Sequence, residues 1–142
     1  MRNFVKSAMV VVTLALLAGM TGCGGSDRGD VSGTVTLDGT PIDNGTIVFV
    51  PEGGGGVDAH PKAGAKIIAG KYQFDPGFGP YPGKYTVEVT WDKKTGKKVS
   101  TGDADTRDET KQMLPAKFNT ATTLTAEITR GNQTKDFQLL SK

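Results

Sequence analysis

The chain has few side chains of the kinds that most catalytic and metal sites require. Its 142 residues include one histidine, His60, and one cysteine, Cys23. A structural zinc site of the usual kind needs four Cys or His ligands, which exceeds this supply. Any Ser-His-Asp triad would depend on His60 alone. An intrachain disulfide is excluded because it requires two cysteines. These counts disfavour most enzyme classes, and we expect neither catalysis nor a cofactor.

An acidic segment is the best candidate for binding a metal ion. Its four carboxylates belong to Asp103, Asp105, Asp108 and Glu109. Hard oxygen ligands at alternating positions suit Ca²⁺. The spacing differs from that of an EF-hand loop, which has a glycine at its sixth position, and Arg107 lies among the carboxylates. A solvated acidic loop is therefore the favoured interpretation, and a weak calcium site is the alternative.

Two further groups of side chains suggest binding. Phe78 and Tyr81 lie in a stiff, proline-rich segment and could form an aromatic platform for a sugar. Trp91 continues an alternating apolar pattern, so we expect it in the core. Four lysines at residues 93–98 could contact a polyanion or an anionic lipid surface, although the acidic segment that follows would offset them. A solvated hairpin tip is the simpler interpretation of this lysine cluster.

The first 22 residues have the three zones of a secretory signal peptide. Arg2 and Lys6 precede an apolar run at residues 8–18, and small residues then lead to Cys23. The run is shorter than the roughly 20 residues of a membrane-spanning helix. The segment Met20-Thr21-Gly22-Cys23 resembles the lipobox of bacterial lipoproteins. This resemblance implies that Cys23 carries a diacylglyceryl group, often with a further acyl chain such as palmitate on its amine.

The lipoprotein resemblance also implies a location. Two or three acyl chains form a stable anchor, whereas one chain holds only weakly. Gly24 follows the cysteine, and the absence of Asp there favours the outer membrane by analogy with Gram-negative sorting. Processing removes two of the 17 basic residues, so the remaining 15 balance the 15 acidic ones. A mature chain without net charge gives no reason to expect nucleic-acid binding.

Apolar residues recur at every second position through most of the chain after residue 30, which predicts strands and not helices. The clearest case is the segment 85–91, where Tyr85, Val87, Val89 and Trp91 alternate with polar residues. Gly, Pro and Asp turns separate about seven such segments, which predicts an antiparallel β-sandwich. Residues 92–114 are expected to form a long polar loop, with one or two helical turns at residues 106–113.

Four motifs occur in a characteristic order. They are V-x-G-x-V with D-G-x-P at residues 31–41, G-x-Y-x-F at residues 70–74, and P-G-x-Y-x-V-x-V at residues 82–89. This order resembles the carboxypeptidase-regulatory-like, transthyretin-like domain of many bacterial lipoproteins, particularly planctomycete-type ones. The resemblance implies a β-sandwich and supplies no catalytic residues. A related purine-pathway hydrolase uses several histidines, which this chain lacks.

Together these features predict a signal peptide at residues 1–22, a flexible tether at residues 23–30 and an all-β sandwich at residues 31–142. We expect a non-catalytic envelope lipoprotein, anchored in the membrane through Cys23, with a structural, adhesive or protein-interaction role. Its partner would be an envelope protein or a polysaccharide. The alternative is a module that binds carbohydrate or Ca²⁺ on its loops.

Overall fold

The computed structural model describes residues 27–53, 60–100, 102 and 106–142. Cys23, the predicted signal peptide and the candidate calcium ligands Asp103 and Asp105 lie outside the described residues. The first strand begins at Gly29, somewhat before the predicted start of the domain at residue 31. Part of the predicted tether therefore belongs to the sheet.

The described chain is almost entirely β-structure, which confirms the predicted all-β class. It contains ten strands, where about seven were expected, and one short 3-10 helix, Ala116–Phe118. The strands are β1 Gly29–Leu37, β2 Thr40–Pro41, β3 Gly45–Pro51, β4 Ala63–Ile68, β5 Lys71–Gln73, β6 Gly83–Ser100, β7 Thr106–Gln112, β8 Thr125–Ile128, β9 Gly131–Thr134 and β10 Phe137–Leu139.

The strands form one curled sheet whose central order is β1-β5-β4-β3-β6. All pairs within this centre are antiparallel. At one side, the free edge of β6 pairs with β8 near its start and with β7 near its end. At the other side, β1 pairs in parallel with both β9 and β10. The predicted antiparallel arrangement therefore holds for most of the sheet, whereas the two C-terminal strands run parallel to the first one.

Residues 92–114 differ most from expectation. The predicted long loop is wrong, because β6 continues to Ser100 and pairs with β7 as a two-stranded ribbon. The predicted helical turn at residues 106–113 is also wrong, since those residues form β7. The polar side chains concealed the strand, because a ribbon exposed on both faces has no alternation of apolar and polar residues to reveal it.

The core lies on the inner face of the sheet and follows the alternation predicted from the sequence. Tyr85, Val87, Val89 and Trp91 are all buried. The Tyr85 hydroxyl donates a hydrogen bond to the carbonyl oxygen of Tyr81, at 2.9 Å, as in the tyrosine corner of other sandwiches. Burial from water raises the pKa of Tyr85.

Two tight turns connect neighbouring strands, and the one at Asp38 and Gly39 falls on the D-G-x-P motif. Asp38 and Gly39 both have positive φ, 48° and 81°, between β1 and β2. Ala69 and Gly70 repeat this geometry, at 49° and 76°, between β4 and β5. Positive φ at both central residues is the type I′ hairpin, whose twist matches that of the flanking strands. These turns set the register of the sheet face described next.

Candidate functional site

The outer face of β1, β4 and β5 forms an open cleft of about 940 Å³. Its floor includes Gly64 on β4, where a Cβ atom would meet neighbours no closer than 3.7 Å. The missing side chain deepens the cleft, and the flanking strands supply polar groups from Ser32, Thr34 and Gln73. This surface could not be predicted from the sequence, because its residues come from strands that are distant along the chain.

Two exposed apolar side chains border the cleft. Phe78 is 73% exposed and Ile68 is 63% exposed. Both residues interrupt an otherwise polar outer face, and the Phe78 ring offers flat contact area to a ligand. The sequence signal for this surface is the pair of successive isoleucines, Ile67 and Ile68. Successive residues of a strand point to opposite faces, so only one of them, Ile67, can be buried in the core.

Charged groups of both signs line the same cleft. Lys66 and Lys71 supply the positive charges, and Asp75 and Asp136 supply the negative ones. Asp136 is held in place, because its carboxylate accepts hydrogen bonds from the Thr34 backbone N–H at 2.8 Å and from the Thr34 hydroxyl at 2.9 Å. This mixture of apolar and hydrogen-bonding groups suits a polar, uncharged ligand better than a strongly charged one.

The two residues of the predicted aromatic platform have different surroundings. Phe78 lines the cleft, whereas Tyr81 is not among its lining residues. The Tyr81 ring stacks on His60, with 4.5 Å between ring centroids, and the Arg28 guanidinium lies 4.1 Å from the same ring. Tyr81 therefore packs within a local cluster, and Phe78 is the member that can meet a ligand.

Trp91 lies in the core, as predicted. It is 8% exposed. Its indole N–H donates a hydrogen bond to the carbonyl oxygen of Asp43, at 2.7 Å. The Lys93 ammonium lies 4.2 Å from the centroid of the indole ring. Trp91 thus fixes the base of the ribbon and is unavailable as a sugar platform.

The described part of the predicted calcium site lies on the ribbon. Asp108 and Glu109 are successive residues of β7, so their side chains point to opposite faces. Asp108 pairs with Lys94, and this hydrogen bond raises the pKa of Lys94. Glu109 accepts a hydrogen bond from the Thr95 hydroxyl. Within the described residues no three His, Cys, Asp or Glu side chains are grouped to hold a metal ion. A calcium site involving Asp103 and Asp105 stays a prediction.

The ribbon and the start of the domain lie at opposite ends of the sheet. Gly29 pairs with Gly131 and donates a hydrogen bond to the Pro80 carbonyl oxygen, at 2.8 Å. Gly83, where β6 begins, pairs with Ile128 at this same end. β6 then runs away from Gly29, and its last nine residues, at about 3.3 Å each, extend for roughly 30 Å. A tether before Gly29 would therefore hold the domain at the end remote from the ribbon.

Compared with family models, with curated proteins and with solved structures, the chain matches none. In the part of the chain that the structure describes, no helix is long and apolar enough to cross a membrane.

Proposed function

We propose that the chain is a lipid-anchored, non-catalytic module of the bacterial cell envelope with a structural or adhesive role. The observation that supports this function best is that the N-terminal end of the domain and the exposed ribbon lie at opposite ends of the sheet. Its first strand begins six residues after Cys23, and its exposed ribbon projects from the opposite end. Six residues span at most about 20 Å when fully extended. An anchor at Cys23 would hold the Gly29 end of the sandwich within that distance of the membrane, with the ribbon at the opposite end.

The carboxypeptidase-regulatory-like resemblance belongs to the same proposal. The type I′ turn at Asp38 and Gly39 and the tyrosine corner at Tyr85 are consistent with its motifs. The outer membrane is the proposed location, since Gly24 and not Asp follows the cysteine. The proposed partner is an envelope protein or a polysaccharide.

The decisive experiment measures the mass of the N-terminal peptide of the mature chain. In the membrane fraction, tryptic residues 23–28 should carry a diacylglyceryl group on Cys23. The Cys23→Ser variant is the matched control and should lose both the modification and the membrane association. An unmodified peptide, or an intact Met1, contradicts the anchor.

A second candidate function is the binding of an uncharged carbohydrate in the outer cleft. The observation that favours it is the exposed Phe78 ring beside fixed hydrogen-bonding groups. The Phe78→Ala variant should then lose binding on a glycan array, whereas Leu140→Ala, which removes an exposed apolar side chain elsewhere, should keep it. Glycan binding that survives Phe78→Ala rules this site out.

A further inference from the structure

The two faces of the ribbon carry different charge. Residues directly opposite in an antiparallel pair share a face, and successive residues of a strand alternate. In the register, Lys93 is opposite Lys111 and Val99 is opposite Arg107. Residues 107, 109 and 111 are every second residue of β7, so their side chains share one face. Both pairs therefore lie on that face, which we call the basic face.

The other face is electrically balanced. It holds Asp92, Lys94, Lys98 and Asp108, since these residues are paired with, or belong to, the even-numbered positions of β7. Lys94 forms an ion pair with Asp108 there. Two cations therefore face two carboxylates, and the paired positions of this side have no net charge to offer a partner; Lys97 lies in the bulge and has no register partner.

The basic face keeps an excess of positive charge. Lys93, Arg107 and Lys111 share it with one carboxylate, Glu109, which is engaged by the Thr95 hydroxyl. Among the described residues, none of these three cations forms an ion pair. Lys93 and Lys111 are moreover directly opposite each other, and like charges in that position destabilise a strand pair. An anion bound on this face would relieve that repulsion.

We propose that the basic face of the ribbon binds a linear anionic polysaccharide. The inference deepens the proposed function, on which it rests, by naming the partner class. Arg107 and Lys111 are four residues apart on β7, which separates their backbone positions by about 13 Å. A row of cations along a narrow, protruding ribbon fits an extended polymer with repeated negative charges. The ribbon also lies at the end of the domain opposite the proposed anchor, so the membrane that holds Cys23 is not the surface that the ribbon contacts.

The experiment measures binding of the full chain, purified in nonionic detergent, to two immobilised polysaccharides. Heparin is the sulfated probe, polygalacturonate is the carboxylated probe, and neutral dextran is the blank. Two double variants remove the same charge from the same ribbon. One is Arg107→Gln with Lys111→Gln on the basic face, and its matched control is Lys94→Gln with Lys98→Gln on the balanced face. The near-ultraviolet dichroism of Trp91 reports that each variant keeps its fold at the ribbon base.

The basic-face variant should bind at least about tenfold more weakly, the factor expected for the loss of roughly 1.4 kcal/mol of interaction. The balanced-face variant should change affinity by less than about threefold, because its two lysines lie on the face away from the polymer and act on it only through screened solvent. Binding should also weaken as salt rises, since at 0.1 M salt charges more than about 10 Å apart are already screened.

Three outcomes would overturn the inference. They are equal losses in both double variants, no binding of either polysaccharide at low salt, and preferential binding of vesicles that contain anionic phospholipid. The mass of the Cys23 peptide is independent of all three. If Cys23 is lipidated and the chain binds neither polysaccharide, the proposed anchored module stands and only the proposed ligand of the ribbon is rejected.

Discussion

At Gly33, β1 passes close to the backbone of the C-terminal segment. A Cβ atom built at this position would lie 1.9 Å from the carbonyl oxygen of Lys135. That oxygen belongs to the backbone and also accepts a hydrogen bond from the Tyr72 hydroxyl, at 2.7 Å. The clash therefore cannot be relieved by turning a side chain, and the glycine is required by packing.

We expect Gly33→Ala to lower the free energy of unfolding by about 3 kcal/mol or more, because overpacking against backbone displaces the strand. Denaturant unfolding followed by tryptophan fluorescence measures this change. Gly64→Ala is the control, since its Cβ has only ordinary contacts at 3.7 Å. Equal stability of the two variants would show that the C-terminal segment is not packed as described.

Tyr72 gives the domain a dependence on alkaline pH. Burial is the main cause that raises the pKa of its hydroxyl above the ordinary value of 10.0, and the negative charge of Asp136 adds to it. A raised pKa means that the folded state favours the neutral phenol, so this stabilisation is complete below pH 10 and is lost as the pH rises beyond it. The hydrogen bond to Lys135 disappears with the same proton.

The Tyr72→Phe variant should therefore behave differently from the wild type at two pH values. At pH 7 it should be less stable by about 1 kcal/mol, the usual contribution of one hydrogen bond. Above pH 10 its stability should fall less steeply than that of the wild type. Urea denaturation at pH 7 and at several alkaline values gives both quantities. Parallel pH profiles would contradict the assignment of this titration to Tyr72.

At the scale of elements, the ribbon is separable from the sandwich. Residues 92–98 are exposed, and β7 contributes no residue to the buried core. A two-stranded hairpin is marginally stable by itself, so the ribbon depends on Trp91 and the sheet next to it. The sheet buries no side chain of residues 92–98 or of β7, and we expect it to fold without them.

Replacing residues 94–110 by Asn-Gly should leave the sandwich folded. The new turn would join Lys93 to Lys111, which are already paired. We expect the free energy of unfolding to change by less than about 1 kcal/mol, since exposed positions contribute little. Calorimetric unfolding measures this change, and tryptophan fluorescence shows whether the surroundings of Trp91 are preserved. A loss of several kcal/mol would mean that the ribbon supports the core.

The strands that could be predicted are those that bury one face. β6 as far as Trp91 shows clean alternation, and the Asp38-Gly39 turn has its own residue signature. The ribbon escaped prediction because strand pairing satisfies its backbone without burying side chains. The parallel pairing of β1 with β9 and β10 escaped for another reason. It joins residues about a hundred positions apart, such as Val35 and Phe137, and local periodicity carries no information on that distance.

The candidate site follows the same rule. Phe78 was identified because an aromatic residue in a stiff loop stands out in the sequence, and it does border the cleft. Its supposed partner Tyr81 could not be assigned, since the stacking with His60 and Arg28 joins separate loops. The unequal charge of the two ribbon faces could not be predicted either, because it depends on the register of β6 against β7. A bulge between Lys94 and Lys98 shifts that register.

At the scale of the whole molecule, the last strands complete the first one. Leu139 is fully buried, and Phe137 packs against the core beside it. The Asp38 carboxylate accepts a hydrogen bond from the Ser141 backbone N–H, at 3.0 Å, and this bond is the main cause that lowers the pKa of Asp38. The C-terminal residues are thus part of the fold and not an appendage.

Removal of residues 135–142 should prevent stable folding, because it exposes one edge of β1 and empties the place of Leu139. Loss of a buried leucine side chain alone costs about 2–5 kcal/mol. Removal of Lys142 alone is the control and should leave the melting temperature unchanged. Thermal unfolding by circular dichroism distinguishes the two, and a cooperative transition in the long truncation would contradict the role given to β10.

The pairing of β1 on both edges also bears on how the domain responds to force. If the chain is held at its N-terminus and pulled through the ribbon, β1 and β6 are drawn in opposite directions along their own axes. The hydrogen bonds of β1 to β5, β9 and β10 lie across that pull. They are loaded together in shear and must fail together, whereas a strand peeled from its end loses its bonds singly. With the proposed anchor at Cys23 and the proposed polymer on the ribbon, this layout would let the domain carry tension between the two.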